Sequence, residues 1–204
     1  MKHLISTLLC LFVFCASAWA AEEAPDAMVK RVTEDVLTIV RQDKDIQSGN
    51  TKKAIDLVEA KVSPNFNFTH MTAFAMGRDW NTATPEQKKR LTEEFKTLLV
   101  RTYSNALTGY RNQTIRYLPS RMQAVDTDGV VKTEVVQPGN KPVQIDYSLE
   151  KLGNRWFVYD VVVAGVSLVI NYRTTFNQEV QANGIDGLIK MLVNKNKQME
   201  PGQK

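Results

Sequence analysis

Residues Gly153 to Leu192 read GNRWFVYDVVVAGVSLVINYRTTFNQEVQANGIDGLIKML, and this stretch joins the most apolar strand of the chain to its most informative helix. From Arg155 to Ala164 the residues are mostly aromatic or β-branched (Trp156, Phe157, Val158, Tyr159, Val161, Val162, Val163), a composition that predicts a strand buried on both faces. Gly165 supplies a turn. Beyond it Val166, Val169, Ile170, Phe176 and Val180 recur at helical spacing as far as Asn183-Gly184, a helix stop at which glycine can take a positive φ. A second short helix is then expected, with Asp186 as its N-cap and Leu188, Ile189, Met191 and Leu192 as its apolar face.

Upstream of that stretch, Thr114 onward has a period of two. The runs IRYLPSRMQAV, GVVKTEVVQ, KPVQIDYSLEKLG and NRWFVYDVVV are separated by Asp126-Thr127-Asp128-Gly129, Pro138-Gly139-Asn140 and Gly153-Asn154, which reads as an antiparallel meander. In the third run Val143, Ile145, Tyr147 and Leu149 alternate with Gln144, Asp146, Ser148 and Glu150, so one sheet face is apolar and the other wet.

The N-terminal half reads as helices. Pro25-Asp26 opens the first, with Val29, Val32, Val36, Ile39 and Val40 as its stripe, and a polar loop through Gly49 closes it. Asn50-Thr51 caps a second helix to about Val62, stopped by Ser63-Pro64. In NFNFTHMTAFAMGRDW, Asn67 or Thr69 caps a short helix closed by Gly77. Thr84-Pro85-Glu86-Gln87 is a capping box with proline at the first helical position, and the helix it starts is expected to reach Leu107. The chain is therefore α+β: a twisted antiparallel sheet of four or five strands at about 114–164, with helices packed on its concave face. Such an arrangement can close a core or enclose an apolar cavity.

Lys2 and His3 precede an apolar run from Leu4 to Phe14, and Ala18-Trp19-Ala20 is an A-x-A site, so residues 1–20 read as a cleaved secretory signal peptide and 21–204 as one exported domain. The apolar run is too short to span a bilayer comfortably. Cys10 and Cys15, the chain's two cysteines, both lie in that leader and in no lipoprotein cleavage context, which leaves a domain without disulfides or thiolate chemistry. Without Lys2 the domain has 25 basic and 22 acidic residues, a formal charge of +3. That mild excess suits a soluble surface or contact with anionic membranes, and the scattered basic residues form no nucleic-acid patch.

Catalytic patterns are sparse. His70 is the one histidine of the domain, which excludes a histidine-based metal cluster, and no phosphate-cradling glycine motif occurs. Gly165-Val166-Ser167 sits between strand and helix like a nucleophile elbow, but lacks the second glycine. A triad of Ser167, His70 and Asp160, or an isomerase site using Asp146 or Asp160 beside Tyr147 or Tyr159, can be written, yet nothing in the sequence brings these groups together.

Several longer motifs carry a resemblance. G-R-D-W (Gly77 to Trp80), A-T-P-E-Q (Ala83 to Gln87), T-Y-x-x-A-L (Thr102 to Leu107), T-E-V-V (Thr133 to Val136), Y-D-V-V-V-x-G-V-S-L-V-x-N-Y-R (Tyr159 to Arg173) and G-I-D-G-L-I (Gly184 to Ile189) together resemble the toluene-tolerance family of periplasmic phospholipid-binding proteins. Asn67 stands where that family more often has Asp, and either caps a helix. The resemblance implies a periplasmic carrier, not an enzyme, with no cofactor and phospholipid as cargo. It further implies exchange of lipid between an outer-membrane lipoprotein–porin complex and the MCE-domain protein of an inner-membrane ABC transporter, which maintains outer-membrane lipid asymmetry. The lipid pocket is then expected along the concave strand face and the helices opposite, lined by Phe74, Trp80, Leu98, Leu99, Tyr103, Ile145, Tyr147, Leu149, Val161, Val163, Leu168, Val169 and Tyr172. Arg78 and Arg173 are the candidates for phosphate contact. A small hydrolase using Ser167 and an adaptor that binds only proteins are the rival classes.

Overall fold

The computed structural model describes residues 23–119, 122 and 125–200, so the expected signal peptide lies outside the described residues. Pro25 starts helix α1 (Pro25–Gln42), which ends at Asp43. The Asp43 side chain accepts from the backbone N–H groups of Asp45 and Ile46, so it nucleates a further turn, α2 (Lys44–Gln47), where a plain polar loop was expected. Asn50 caps α3 (Thr51–Leu57) by accepting from Lys53 N–H. From there the backbone widens into a π-helical segment, Val58–Val62, and then tightens into a 3-10 turn, Ser63–Asn65, in place of the uniform helix expected to Val62. Asn67 caps α4 (Phe68–Met76).

The capping box at Thr84 starts α5 (Pro85–Tyr103), with the Thr84 side chain accepting from Gln87 N–H and the Gln87 side chain accepting from Thr84 N–H. This helix ends four residues earlier than the spacing predicts, because Ser104–Gly109 tightens into a 3-10 turn. Within that turn the Thr108 hydroxyl donates to the Asn105 carbonyl at 2.8 Å, the local side-chain bonding that competes with a regular helix.

The sheet is a meander of five strands in the order β1 (Thr114–Tyr117), β2 (Asp128–Val136), β3 (Val143–Leu152), β4 (Arg155–Val163) and β5 (Val166–Ser167), all antiparallel. β1 stops at Tyr117, short of the Val125 end expected for that run. A bulge lies opposite Ser148 and Leu149. Leu149 pairs with Val158 and Ser148 with Asp160, so Tyr159 is the extra residue on β4. Trp156 and Val158 therefore share a face with Leu149, and beyond the bulge Val161 and Val163 share it with Tyr147 and Ile145. β4 is not uniformly buried: Trp156, Val158 and Asp160 are buried while Phe157, Tyr159 and Val161 are half-buried.

The helix expected directly after Gly165 begins later. Ala164 and Gly165 have φ of 49° and 85°, the pair of positive values that closes a tight hairpin, and Val166–Ser167 continues the sheet as β5. A 3-10 turn, Ile170–Tyr172, leads into α6 (Arg173–Gln198). The stop signal at Asn183-Gly184 appears as a kink, with Gly184 at φ 71° and ψ −177° inside the otherwise continuous α6. Asp186 does not cap it. Its carboxylate accepts from Gln87 Nε2 at 2.8 Å, tying α6 to the start of α5.

Among the described residues the core has three apolar clusters. α1 lies over the sheet face that carries Val131, Leu149, Trp156 and Val158. A second cluster joins α1, α2 and α3 around Val40 and Ile46. The largest joins α4, α5 and α6 around Phe95, Leu98, Phe176, Leu188 and Leu192. Phe66 belongs to both the first and the last, and its backbone pairs with Val158 on β4 in an isolated parallel bridge.

Candidate functional site

Between these clusters, among the described residues, lie two apolar hollows. The larger, of about 240 Å³, is walled by Val58 and Val62 from the π-helical segment, Ser63, Phe66, Phe68, Met71 on α4, Leu99, Val100 and Tyr103 on α5, Ser104 and Leu107 on the following turn, Val161 on β4, and Leu168. The smaller, of about 170 Å³, lies under α1 and is walled by Met28, Val29, Val32, Thr33, Val36 and Leu37, with Val62, Asn65, Phe66, Leu107, Tyr147 and Val158 opposite. Val62, Phe66 and Leu107 line both. They form the partition between two neighbouring chambers, and each comes from a segment that departs from regular α-helix or strand.

Among the described residues, no charged side chain lines either hollow. The tyrosines hold the same character, because burial, with the Tyr172 hydroxyl beside it, pushes the Tyr103 phenol up to about 12. Burial likewise raises Tyr147, whose hydroxyl lies beside Thr133 and Thr33. Both stay neutral across the physiological range. Mostly apolar, uncharged walls suit alkyl chains and offer no counter-charge to a phosphate or carboxylate. A hollow of about 740 Å³ along α6 is of the opposite kind, lined by Glu179, Asn183, Lys190, Lys195 and other polar groups.

Of the expected pocket residues, the structure brings Leu99, Tyr103, Val161 and Leu168 to the larger hollow and Tyr147 to the smaller. Phe74, Trp80, Leu98, Val169 and Tyr172 pack in the α4–α6 cluster, and Leu149 packs under α1. Ile145 and Val163 pair with one another across β3 and β4. The walls that sequence reasoning missed are the α1 stripe, the π-helical segment and Phe66-Phe68. The stripe and the apolar richness of NFNF were visible as patterns, but nothing local says that they face each other. Arg78 is exposed. Arg173 donates to the Phe74 carbonyl and stacks over the Phe74 ring at 5.2 Å, so it serves the junction of α4 and α6.

The groups from which a triad could be written are each engaged elsewhere. Ser167 Oγ accepts from Ile170 N–H at 2.9 Å, and Asp160 Oδ1 accepts from the N–H groups of Val161 and Val169 at 2.8 and 3.3 Å. His70 Nδ1 lies 2.8 Å from Glu150 Oε1, and its ring stacks on Tyr159. Asp146 accepts from Gln144 Nε2 at 2.9 Å, and the Tyr159 hydroxyl donates to Asp128 at 3.4 Å. Among the described residues no group of three metal-ligating side chains converges, and no helix is long and apolar enough to cross a membrane.

The family model described as MlaC protein matches residues 30–194. The chain belongs to the MlaC family. The matched span contains every wall of the larger hollow and all of the smaller except Met28 and Val29. Among members similar to it, the toluene tolerance protein ttg2D of Pseudomonas putida is 28% identical over 170 residues, 81% of this chain and 77% of that protein. The intermembrane phospholipid transport system binding protein MlaC of Haemophilus influenzae is 26% identical over 176 residues, covering 83% and 80%. A phospholipid-binding protein from Ralstonia solanacearum, solved in complex with a phospholipid, superposes with a TM-score of 0.79 at 41% identity, over 85% of this chain and 97% of that one. That likeness extends the α+β architecture to a relative whose structure holds a lipid.

Proposed function

We propose that this protein is a periplasmic phospholipid carrier, which holds acyl chains in the two apolar chambers and performs no chemistry on its cargo. The observation that carries the proposal is the pair of neighbouring chambers that share Val62, Phe66 and Leu107 and have no charged side chain among their described walls. The Ralstonia relative solved with a phospholipid supports it, as does the Haemophilus relative named for intermembrane phospholipid transport.

Burying alkyl chains is what such a protein must do. At roughly 0.8 kcal/mol per CH₂, two acyl chains exposed to water cost on the order of 20 kcal/mol. Each chamber is smaller than the roughly 300–1,000 Å³ typical of ligand sites, so a diacyl lipid loads by spreading the partition and joining the two. Passing chains from a bilayer to an equally apolar interior is close to neutral in free energy. Direction and release are therefore set by docking partners, which we take to be an outer-membrane lipoprotein–porin complex and the MCE-domain protein of an inner-membrane ABC transporter. Export to the periplasm rests on the leader at residues 1–20, and the shuttle reading makes the maintenance of outer-membrane lipid asymmetry its physiological outcome.

Transfer between vesicles tests this. Donor vesicles carrying labelled phosphatidylethanolamine and unlabelled acceptors are mixed with the protein, and label arriving intact in the acceptors is measured by mass spectrometry. Intact label moving in proportion to protein is expected. Lysolipid or free fatty acid appearing in its place contradicts the carrier reading and returns Ser167 to consideration.

A further inference from the structure

We infer that the hydroxyls of Ser63 and Ser104 are an ester-carbonyl recognition point inside the acyl cavity; the inference rests on the carrier reading above. Both residues line the larger chamber, with exposures of 8% and 1%, and neither Oγ has a hydrogen-bond partner among the described residues. A buried hydroxyl left unpaired is unfavourable, and most such groups in folded proteins find a partner.

The two serines differ from four threonines on α4 and α5. The hydroxyls of Thr72, Thr92, Thr97 and Thr102 all donate to the backbone carbonyl four residues back, at 2.7–2.9 Å. Ser63 and Ser104 make no such bond. Each is the first residue of a 3-10 turn that follows a wider helix, the π-helical segment in one case and α5 in the other. At Ser63 the wider turn takes the usual carbonyl out of register, its backbone bond running five residues back, whereas at Ser104 that bond still runs four residues back and the hydroxyl alone makes no use of it. The backbone N–H groups are satisfied, Ser63 to Val58 and Ser104 to Val100, so the hydroxyls alone are left over.

What they can receive is restricted by the walls. A chamber without a charged side chain does not take up a phosphate, and the methylenes of an acyl chain accept no hydrogen bond. The acceptors that a diacyl phospholipid carries at the root of its chains are its ester carbonyls, neutral groups matched to a neutral hydroxyl donor. The serines thus fix how far the chains enter and select acyl esters over alkyl ethers.

Wild-type and Ser63→Ala/Ser104→Ala proteins, stripped of lipid, are loaded from an equimolar mixture of diester and diether phosphatidylglycerol of equal chain length, and the bound ratio is read by native mass spectrometry. The diester to diether ratio is expected to fall about threefold to tenfold in the variant, the effect of one or two neutral hydrogen bonds. Comparing the ratio between the two proteins cancels the intrinsic difference in hydration of the lipids. The same ratio in both overturns the inference while leaving the carrier reading intact, whereas wild-type protein that retains neither lipid overturns both. If the double variant does not fold, isotope-edited infrared spectra of wild-type protein loaded with lipid labelled with ¹³C at its ester carbonyls decide the matter. A carbonyl band at the hydrogen-bonded frequency is expected, and a band at the frequency seen in dry hydrocarbon overturns the assignment.

Discussion

Phe66 is bound through its backbone to Val158: the two residues form a parallel bridge at β4, and the next residue, Asn67, donates its N–H to the Val158 carbonyl at 2.9 Å. The Phe66 ring is thereby fixed between the two chambers, where it stacks on Phe68 with centroids 5.9 Å apart. Removing a large aromatic from a packed site costs roughly 3–5 kcal/mol, and a half-buried ring less. We expect Phe66→Ala to lose about 2–3 kcal/mol in urea unfolding and to bind longer acyl chains than wild type when offered a chain-length series. An unchanged chain-length profile counts against Phe66 as the partition.

Leu98 and Leu99 are neighbours on α5 with different surroundings. Leu98 is 1% exposed and packs only in the α4–α6 cluster, whereas Leu99 also faces the larger chamber. A carboxylate at position 98 has no room and no partner, so Leu98→Glu is expected to abolish the cooperative thermal transition. Leu99→Glu projects into the chamber and is expected to keep a native circular dichroism spectrum while losing most bound lipid. Tyr147→Glu is expected to act likewise from the smaller chamber. Global unfolding of Leu99→Glu argues that position 99 is ordinary core.

Reading these elements from sequence succeeded where the determinant was local. The capping box at Thr84 and the N-caps Asn50 and Asn67, the latter one of two candidates beside Thr69, depend on residues within a few positions of one another and appear in the structure. The alternation along β3 is blunted, with Leu149 buried but Val143 exposed and Ile145 no more buried than Asp146. The stretch after Gly165 misled because Val166 and Val169 fit a helix by spacing, while the two positive φ values at Ala164 and Gly165 turn the chain back to pair with β4. The chambers were less legible still. Their partition is assembled from Val62, Phe66 and Leu107, and no periodicity reports which irregular segments meet across a fold.

Gly184 lies at φ 71° and ψ −177° with open space where a Cβ would stand, so an alanine there meets backbone strain and no collision. Strain of this kind costs about 1–3 kcal/mol. Gly184→Ala is expected to lower the melting temperature by roughly 2–4 °C for each kcal/mol lost. Gly109, with open space and an ordinary backbone, is the control, and Gly109→Ala should stay within about 0.5 kcal/mol of wild type. Equal effects at the two positions would contradict the kink.

Tyr103 and Tyr117 both have phenols raised to about 12, chiefly by burial, with Tyr172 beside the first and Glu34 beside the second. Their unfolded values are near 10, so between about pH 10 and 12 the unfolded chain releases protons that the folded chain keeps, and unfolding becomes more favourable as pH rises. Stability is expected to be flat in this respect below about pH 10 and to fall above it. Tyr103→Phe and Tyr117→Phe should each make the alkaline fall shallower in thermal melts recorded from neutral to strongly alkaline pH. An identical slope in both variants removes these two groups as its cause.

The carrier account is tested most directly by native mass spectrometry of the purified protein, paired with mass spectrometry of its organic extract. We predict one discrete population, heavier than the polypeptide by the mass of intact diacyl phospholipid, and an extract containing that lipid uncleaved. Protein that purifies without lipid and takes none from phospholipid vesicles, or an extract containing only lysolipid and free fatty acid, contradicts the account.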